Sequence, residues 1–161
     1  MDKKYRNLPL RKGVGIILLN KSNQIFVAKR IDNPKNFWQM PQGGIDKNEK
    51  YLDAAYRELE EETSIKSVKV IEELNGLFTY YLPPHLLGII WKGKYNGQEQ
   101  KWFVMRFLGN DKEINIKTKN PEFLKWKWID VDKITDTVVE FKLEVYKKIK
   151  KKIKKILINT L

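Results

Sequence analysis

Glu58, Glu61 and Glu62 are spaced so that, on a helix, their carboxylates fall within one sector of about 100°. Like charges at such spacing repel, costing an isolated helix a few tenths of a kcal/mol per pair, on the order of what an opposite pair contributes. A divalent cation among them removes that cost. Hard cations take oxygen ligands and keep several waters, which leaves room for a phosphate oxygen. Arg57, one turn before Glu61, can hold that carboxylate in one rotamer. The run Glu60-Glu61-Glu62 alone would read as a solvated helical face. What precedes it argues otherwise: Gly43-Gly44 makes a tight backbone bend just before the helix, and Glu49 follows at a fixed distance.

The composition narrows the chemistry further. The chain has 161 residues, no cysteine, one histidine (His85) and a formal charge of +12. These exclude a disulfide framework, a thiolate zinc site and cysteine catalysis, and make Ser-His chemistry a poor prospect. The charge is uneven: residues 46–62 sum to −4, whereas residues 1–45 and 141–161 each sum to +7. An acidic island in a basic chain suggests a cation site within a protein whose partner is anionic. No apolar stretch approaches the roughly 18 to 20 residues of a membrane span. Met1-Asp2-Lys3-Lys4-Tyr5 lacks the apolar run of a secretory signal, so a cytoplasmic location is expected. The length suits one domain over residues 1–161.

The elements that must position the carboxylates follow from periodicity. Gly13–Asn20 and Gln24–Ala28 read as strands joined by a tight turn at Lys21-Ser22-Asn23. A loop from Ile31 to Met40, containing Asp32-Asn33-Pro34, leads to Pro41-Gln42-Gly43-Gly44. Residues 48–63 are predicted helical, with Leu52, Tyr56, Leu59 and Thr63 as the buried stripe and Ala54 and Ala55 leaving space beside the carboxylates. Val68–Tyr81 is an apolar, strand-like run, and alternation puts one of Tyr80 and Tyr81 in the core. Leu87–Trp91 and Gln98–Leu108 are predicted to pair as a hairpin about Tyr95-Asn96-Gly97. Phe123–Ile129 alternates, with Trp126 and Trp128, like Trp102, assigned to the core. Residues 138–158 form a basic amphipathic helix with Phe141, Val145, Ile149, Ile153 and Ile156/Leu157 on its apolar side. A mixed sheet flanked by two helices is the simplest assembly.

The string Gly43, five residues, Glu49, seven residues, Arg57-Glu58-Leu59-Glu60-Glu61-Glu62-Thr63-Ser64-Ile65 resembles the Nudix box, G-x5-E-x7-R-E-U-x-E-E-x-G-U with U apolar. Only Ser64 departs from it, standing where the family has a glycine that leaves the helix with positive φ. The resemblance implies an α/β/α sandwich that hydrolyses nucleoside diphosphates linked to another moiety, using Mg²⁺ or Mn²⁺. By motif position Glu58, Glu61 and Glu62 are implied metal ligands and Arg57 orients them. Gly44 is implied to add a carbonyl ligand; Gly43, Gly44 and Glu49 shape the loop–helix junction.

Further segments are similar to bacterial RNA pyrophosphohydrolases and the related dinucleoside polyphosphate hydrolases. They are Trp38–Gly44, Gly97–Phe103, Pro121-Glu122-Phe123 with Trp126-Lys127-Trp128, and Phe141-Lys142. The resemblance makes Glu122 a further ligand or base, Arg11, Arg30 and Lys142 phosphate-contacting cations, and Phe141 a base-stacking plane. An RNA 5′ end, with its phosphates and stackable base, suits that combination. The expected activity is conversion of a 5′-triphosphate RNA end to a monophosphate, promoting mRNA decay. Hydrolysis of diadenosine and other dinucleoside polyphosphates is the near alternative, and a non-catalytic RNA- or nucleotide-binding module the distant one. The lysine-rich end of the last helix could hold RNA backbone or lie on an acidic surface. Plain extension of the helix is the favoured reading.

Overall fold

The computed structural model describes Tyr5, residues 7–33 and residues 35–159. Met1–Lys4 and Pro34, which entered the sequence argument, lie outside the described residues, as do Arg6 and residues 160–161. In chain order the main elements are β1 (Leu10–Leu19), β2 (Ile25–Arg30), β3 (Gln42–Gly44), α1 (Tyr51–Thr63), β4 (Val68–Glu73), β5 (Phe78–Tyr81), β6 (Gly97–Phe107), β7 (Phe123–Ile129) and α2 (Leu143–Asn159). The sheet order is β4-β6-β1-β2-β7, with β3 paired to β1 and β5 to β6. Only β1 and β6 run parallel, in register from Leu10↔Gly97 to Leu19↔Arg106; the other pairs are antiparallel.

Strand β1 is buried without interruption from Gly13 to Leu19, because both faces of the sheet are covered. Ile17 and Leu19 point to the side of α2, where they join Trp102, Tyr146, Ile149 and Ile153. Val14, Ile16 and Leu18 point to the side of α1, meeting Ala54, Ala55 and Leu59. Two cores on opposite faces of one sheet make the α/β/α sandwich. A long-range bond ties loop to helix: the Met40 N–H donates to the Tyr146 hydroxyl at 2.9 Å, in a buried setting.

Several local expectations are corrected. The last helix, expected from residue 138, begins at Leu143, because residues 140–142 form a separate 3-10 turn. The hairpin about Tyr95-Asn96-Gly97 does not form, because β6 is already paired on both sides, to β1 on one and to β4 and β5 on the other. Residues 87–93 instead fold as turns ending in a short 3-10 segment, Ile90–Gly93. The Val68–Tyr81 run splits into β4 and β5 at a bend where Gly76 takes φ 78°. Helix α1 starts at Tyr51, since Asn48 has φ 65°. Its buried residues are Ala54, Ala55, Leu59, Glu62 and Thr63, whereas Leu52 and Tyr56 are exposed. The small alanines let the helix sit close against the sheet, which rotates the larger pair outward.

Trp102 is fully buried, but Trp126 and Trp128 are only half-buried. They extend a ring stack over Phe26 and Phe107 at centroid distances of 5.7–5.9 Å. Tyr80 is buried and Tyr81 exposed, as alternation requires. Helix α2 buries Val145, Tyr146, Ile149 and Ile153 and leaves its lysines mostly in solvent. No helix among the described residues is long and apolar enough to cross a membrane.

Candidate active site

Arg57 organises the loop–helix junction. Its Nε and Nη2 donate to the Glu49 carboxylate at 2.8 and 2.9 Å, and Nη2 also donates to the Gly44 carbonyl at 2.9 Å. Its Nη1 donates to Glu58 at 2.9 Å and to Glu61 at 3.1 Å. Glu49 in turn accepts the Asp46 N–H at 2.9 Å, closing the loop onto α1. Held between Arg57 and that amide, the Glu49 carboxyl is depressed to about 2. One side chain thus holds four parts of the motif in register. The bend expected at Gly43-Gly44 does not form: both residues are extended in β3 because they pair with β1, and the chain turns at Lys47-Asn48 instead. Glycine at residue 43 serves close approach, since a Cβ there would meet the Glu58 carboxyl.

Helix α1 ends as a left-handed cap without glycine. Ser64 adopts φ 67°, ψ 7°, and its N–H donates to the Glu60 carbonyl at 2.8 Å. The Ser64 hydroxyl donates to the Asn115 carbonyl at 2.8 Å, a bond that glycine could not make. That bond offsets part of the cost of a Cβ in this conformation.

The three helical glutamates are buried to very different degrees. Side-chain exposure is 58% for Glu61 and 13% for Glu58, and Glu62 as a residue is 3% exposed. Glu122, at 46%, faces them from the residue before β7. Burial pushes the Glu58 carboxyl up to about 7, against the pull of Arg57 and with help from the charges of Glu61 and Glu122. Burial also drives Glu62 well above the carboxylate range, reinforced by Glu122 and Glu58. The Glu62 Oε2 is buried without a hydrogen-bond partner. An unsatisfied buried carboxylate oxygen, beside two further carboxyl groups, is a donor set that suits a hard divalent cation. Among the described residues no three of these side chains are gathered as a ready-made cage. Glu58 and Glu61 lean on Arg57 instead.

The cations expected from the sequence share a cleft of about 1110 Å³ with Glu58, Glu62 and Glu122. Arg11 reaches across β3, so that a Cβ on Gly44 would meet its guanidinium. Arg30 binds Asp32 through two bonds of 2.8 Å and lies 3.9 Å from Glu122. Lys142 is 6% exposed; its Nζ bonds to the Gln39 amide oxygen at 3.3 Å and lies over the rings of Tyr80 and Phe141 at 5.4 and 5.8 Å. Burial lowers its ammonium to about 7, and the Arg30 charge adds to the effect. Phe141 is half-buried, tilted against Tyr80 at 5.6 Å, with its ring lining the cleft. His85 is exposed at the cleft mouth.

Sequence reasoning missed the partners of these cations. Asp32, two residues beyond Arg30, and Gln39, inside the Trp38–Gly44 segment, were named only as parts of longer strings. Buried glutamines also went unread. Gln42 donates to the Tyr80 hydroxyl at 3.3 Å, Tyr80 donates to Gln98 at 2.9 Å, and Gln100 donates to both glutamines at 3.0 Å. This network fixes the Tyr80 ring beneath Lys142. The available signal was alternation: Gln98, Gln100 and Trp102 share the buried face of β6, with Glu99 and Lys101 on the other.

With this geometry in view, comparison with known proteins is informative. The profile of the NUDIX domain matches residues 9–149. The RNA pyrophosphohydrolase of Pelagibacter ubique is 73% identical over 151 residues, covering 94% of this chain and 96% of that protein. The protein of that name from Rhodospirillum rubrum is 48% identical over 142 residues, covering 88% and 86%. Among solved structures, the E. coli dihydroneopterin triphosphate pyrophosphohydrolase superposes with a TM-score of 0.69 at 18% identity, covering 87% of this chain and 96% of that one. A C. elegans Ap4A hydrolase complex gives 0.62 at 20%, covering 87% and 95%. These two share the fold. A family match over most of the chain, carried by the loop, helix and carboxylates just described, makes this protein a member of the NUDIX family of hydrolases.

Proposed function

We propose that this chain is an RNA pyrophosphohydrolase that converts 5′-triphosphate RNA ends to 5′-monophosphates, and so promotes mRNA decay in the cytoplasm. One observation carries the reading. Three cations, Arg11, Arg30 and Lys142, and the aromatic plane of Phe141 line the same cleft as Glu58, Glu62 and Glu122. A polyphosphate attached to a nucleobase is the ligand that uses all of them. The names of the Pelagibacter and Rhodospirillum relatives support this substrate.

Nudix hydrolases act with divalent metal ions. Here Mg²⁺ or Mn²⁺ would be held by Glu58, Glu61, Glu62 and Glu122, with the Gly44 carbonyl close by. Bound there, the metal would neutralise phosphate charge and make water a competent nucleophile near neutral pH. The protein's own groups do the rest. Arg11, Arg30 and Lys142 bind the phosphate chain, and Phe141 stacks a base. Arg57 orients Glu58 and Glu61. Glu122, exposed on the loop facing α1, serves as a further ligand or, when off the metal, as the base that accepts the proton of the attacking water.

Dinucleoside polyphosphates carry the same phosphate chain, so they are the substrate to compare. Turnover of triphosphorylated RNA and of diadenosine polyphosphates at matched concentration tests the proposal. Faster cleavage of RNA, with release of pyrophosphate, is expected; faster cleavage of the dinucleotide would overturn it.

A further inference from the structure

Residues 91–93 make a turn of the unusual hand. Trp91 (φ 52°, ψ 36°), Lys92 (φ 57°, ψ 25°) and Gly93 (φ 71°) are consecutive in the left-handed region. Residues other than glycine visit that region singly as a rule, because the Cβ crowds the following carbonyl. Pairs persist where the surroundings over-determine them, and such places gather at ligand clamps. The surroundings are visible here. The Trp91 carbonyl accepts the Lys94 N–H at 3.2 Å, and the indole packs edge-on against Tyr95 with centroids 6.2 Å apart. The Arg11 guanidinium lies over the indole, 5.2 Å from its centroid. The strained turn leaves the ring half-buried, lining the cleft.

The cleft therefore contains the same pair of parts twice. Phe141 carries the Lys142 ammonium at 5.8 Å, and Trp91 carries the Arg11 guanidinium at 5.2 Å. An aromatic plane with an adjoining cation is what one nucleotide needs, a face for its base and a charge for its phosphate. We propose that Trp91 is a second stacking plane, which takes the base of a second nucleoside in the substrate. That base belongs either to the second nucleotide of an RNA or to the far nucleoside of a dinucleoside polyphosphate. The inference rests on the proposed function for its choice of ligand.

The test is equilibrium binding without divalent cation, where no turnover occurs, using wild type, Trp91→Leu and Trp91→Phe. The ligands are ATP, diadenosine tetraphosphate and a 5′-triphosphorylated dinucleotide. Wild type should bind at least one two-nucleoside ligand about tenfold more tightly than ATP, a gain within the range of base stacking. Trp91→Leu should lose that gain and keep the ATP Kd within about twofold, whereas Trp91→Phe, which retains a π-face, should keep most of it. Whichever two-nucleoside ligand loses affinity identifies the source of the base. An equal loss for ATP would overturn the proposal, because the indole would then act through Arg11 on the phosphates. Unchanged binding of all three ligands by Trp91→Leu would overturn it too, as would absence of the gain in wild type. If the Trp91-dependent gain is present but triphosphorylated RNA is not cleaved when Mg²⁺ is added, the proposed function fails and this inference stands.

Discussion

Helices α1 and α2 are both amphipathic and both charged, yet they use charge in opposite ways. Helix α1 turns two of its carboxylates inward, with Glu62 3% exposed and Glu58 half-buried beside it. Helix α2 turns apolar residues inward and leaves Lys147, Lys148, Lys151, Lys154 and Lys155 exposed. Where its lysines find partners they are peripheral: Lys154 and Lys150 meet Asp132, and Lys147 meets Glu144. Charge held against desolvation points to a site, whereas charge left in water mostly reports solubility. The tail's +7 is therefore a weaker guide to function than the smaller acidic island.

The comparison can be broken most severely at the buried end. Glu62→Gln and Glu61→Gln should each lower turnover by about 10³-fold or more in a rate assay with Mg²⁺, since charge stabilisation at the phosphate is the main catalytic term. Glu62→Gln should unfold no earlier than wild type at neutral pH without metal, because the amide removes the desolvation cost of a buried carboxylate. Wild-type-like activity in both variants would mean the cation sits elsewhere.

Arg57→Ala removes the group that joins Glu49, Glu58, Glu61 and the Gly44 carbonyl. A loss of about 10²-fold in kcat is expected from misplaced ligands, together with about 1–3 kcal/mol of stability by denaturant titration. An intact kcat would show that Arg57 only staples the loop.

Lys142 sharpens the comparison, being the one lysine next to α2 that is buried as the glutamates are. Burial holds its ammonium at about 7, below the ordinary lysine value of 10.5. The unfolded chain therefore holds the extra proton between these values, and the lysine's contribution to stability rises with pH across that window. In ligand-free protein that stability is fully present above the unfolded value and lost as pH falls through the folded one. Phosphate binding runs the other way, because it needs the ammonium. Affinity for a triphosphate should fall as pH rises past about 7, and Lys142→Met should flatten that profile. A profile unchanged in the variant would remove Lys142 from the phosphate site.

The smallest effect is expected on the outer face of α2. Replacing Lys148, Lys151 and Lys155 together by glutamine should shift stability by less than about 0.5 kcal/mol per site. Turnover of a short triphosphorylated substrate should stay within about twofold. A large loss on long RNA alone would show that this face tracks the phosphate backbone.

The box was legible because its parts are contiguous and one helical period orders them. The cations that line the cleft were legible only by resemblance. Arg11, Arg30 and Lys142 come from three distant segments, and nothing local distinguishes them from other surface cations. The failed hairpin about Asn96-Gly97 has a similar cause. Its local signal was sound, but whether β6 had a free edge depended on β1, whose paired residues lie 87 positions earlier, and on β5, whose residues lie 16 to 22 earlier.

By itself the sequence determined the spacing of the glutamates and the helical period that sets them on one side of α1, since these follow from backbone geometry over a few residues. Only the tertiary structure decided how deeply each charge is buried. Glu61 and Glu62 are neighbours on one helix, yet one lies in water and the other is buried at the wall of the cleft. Tertiary packing also set Lys142 over Tyr80 and Phe141, and turned Trp91 into the cleft. Desolvation depends on everything that packs around a group, which is why neither the raised carboxyls nor the lowered ammonium could be read from neighbours in the chain.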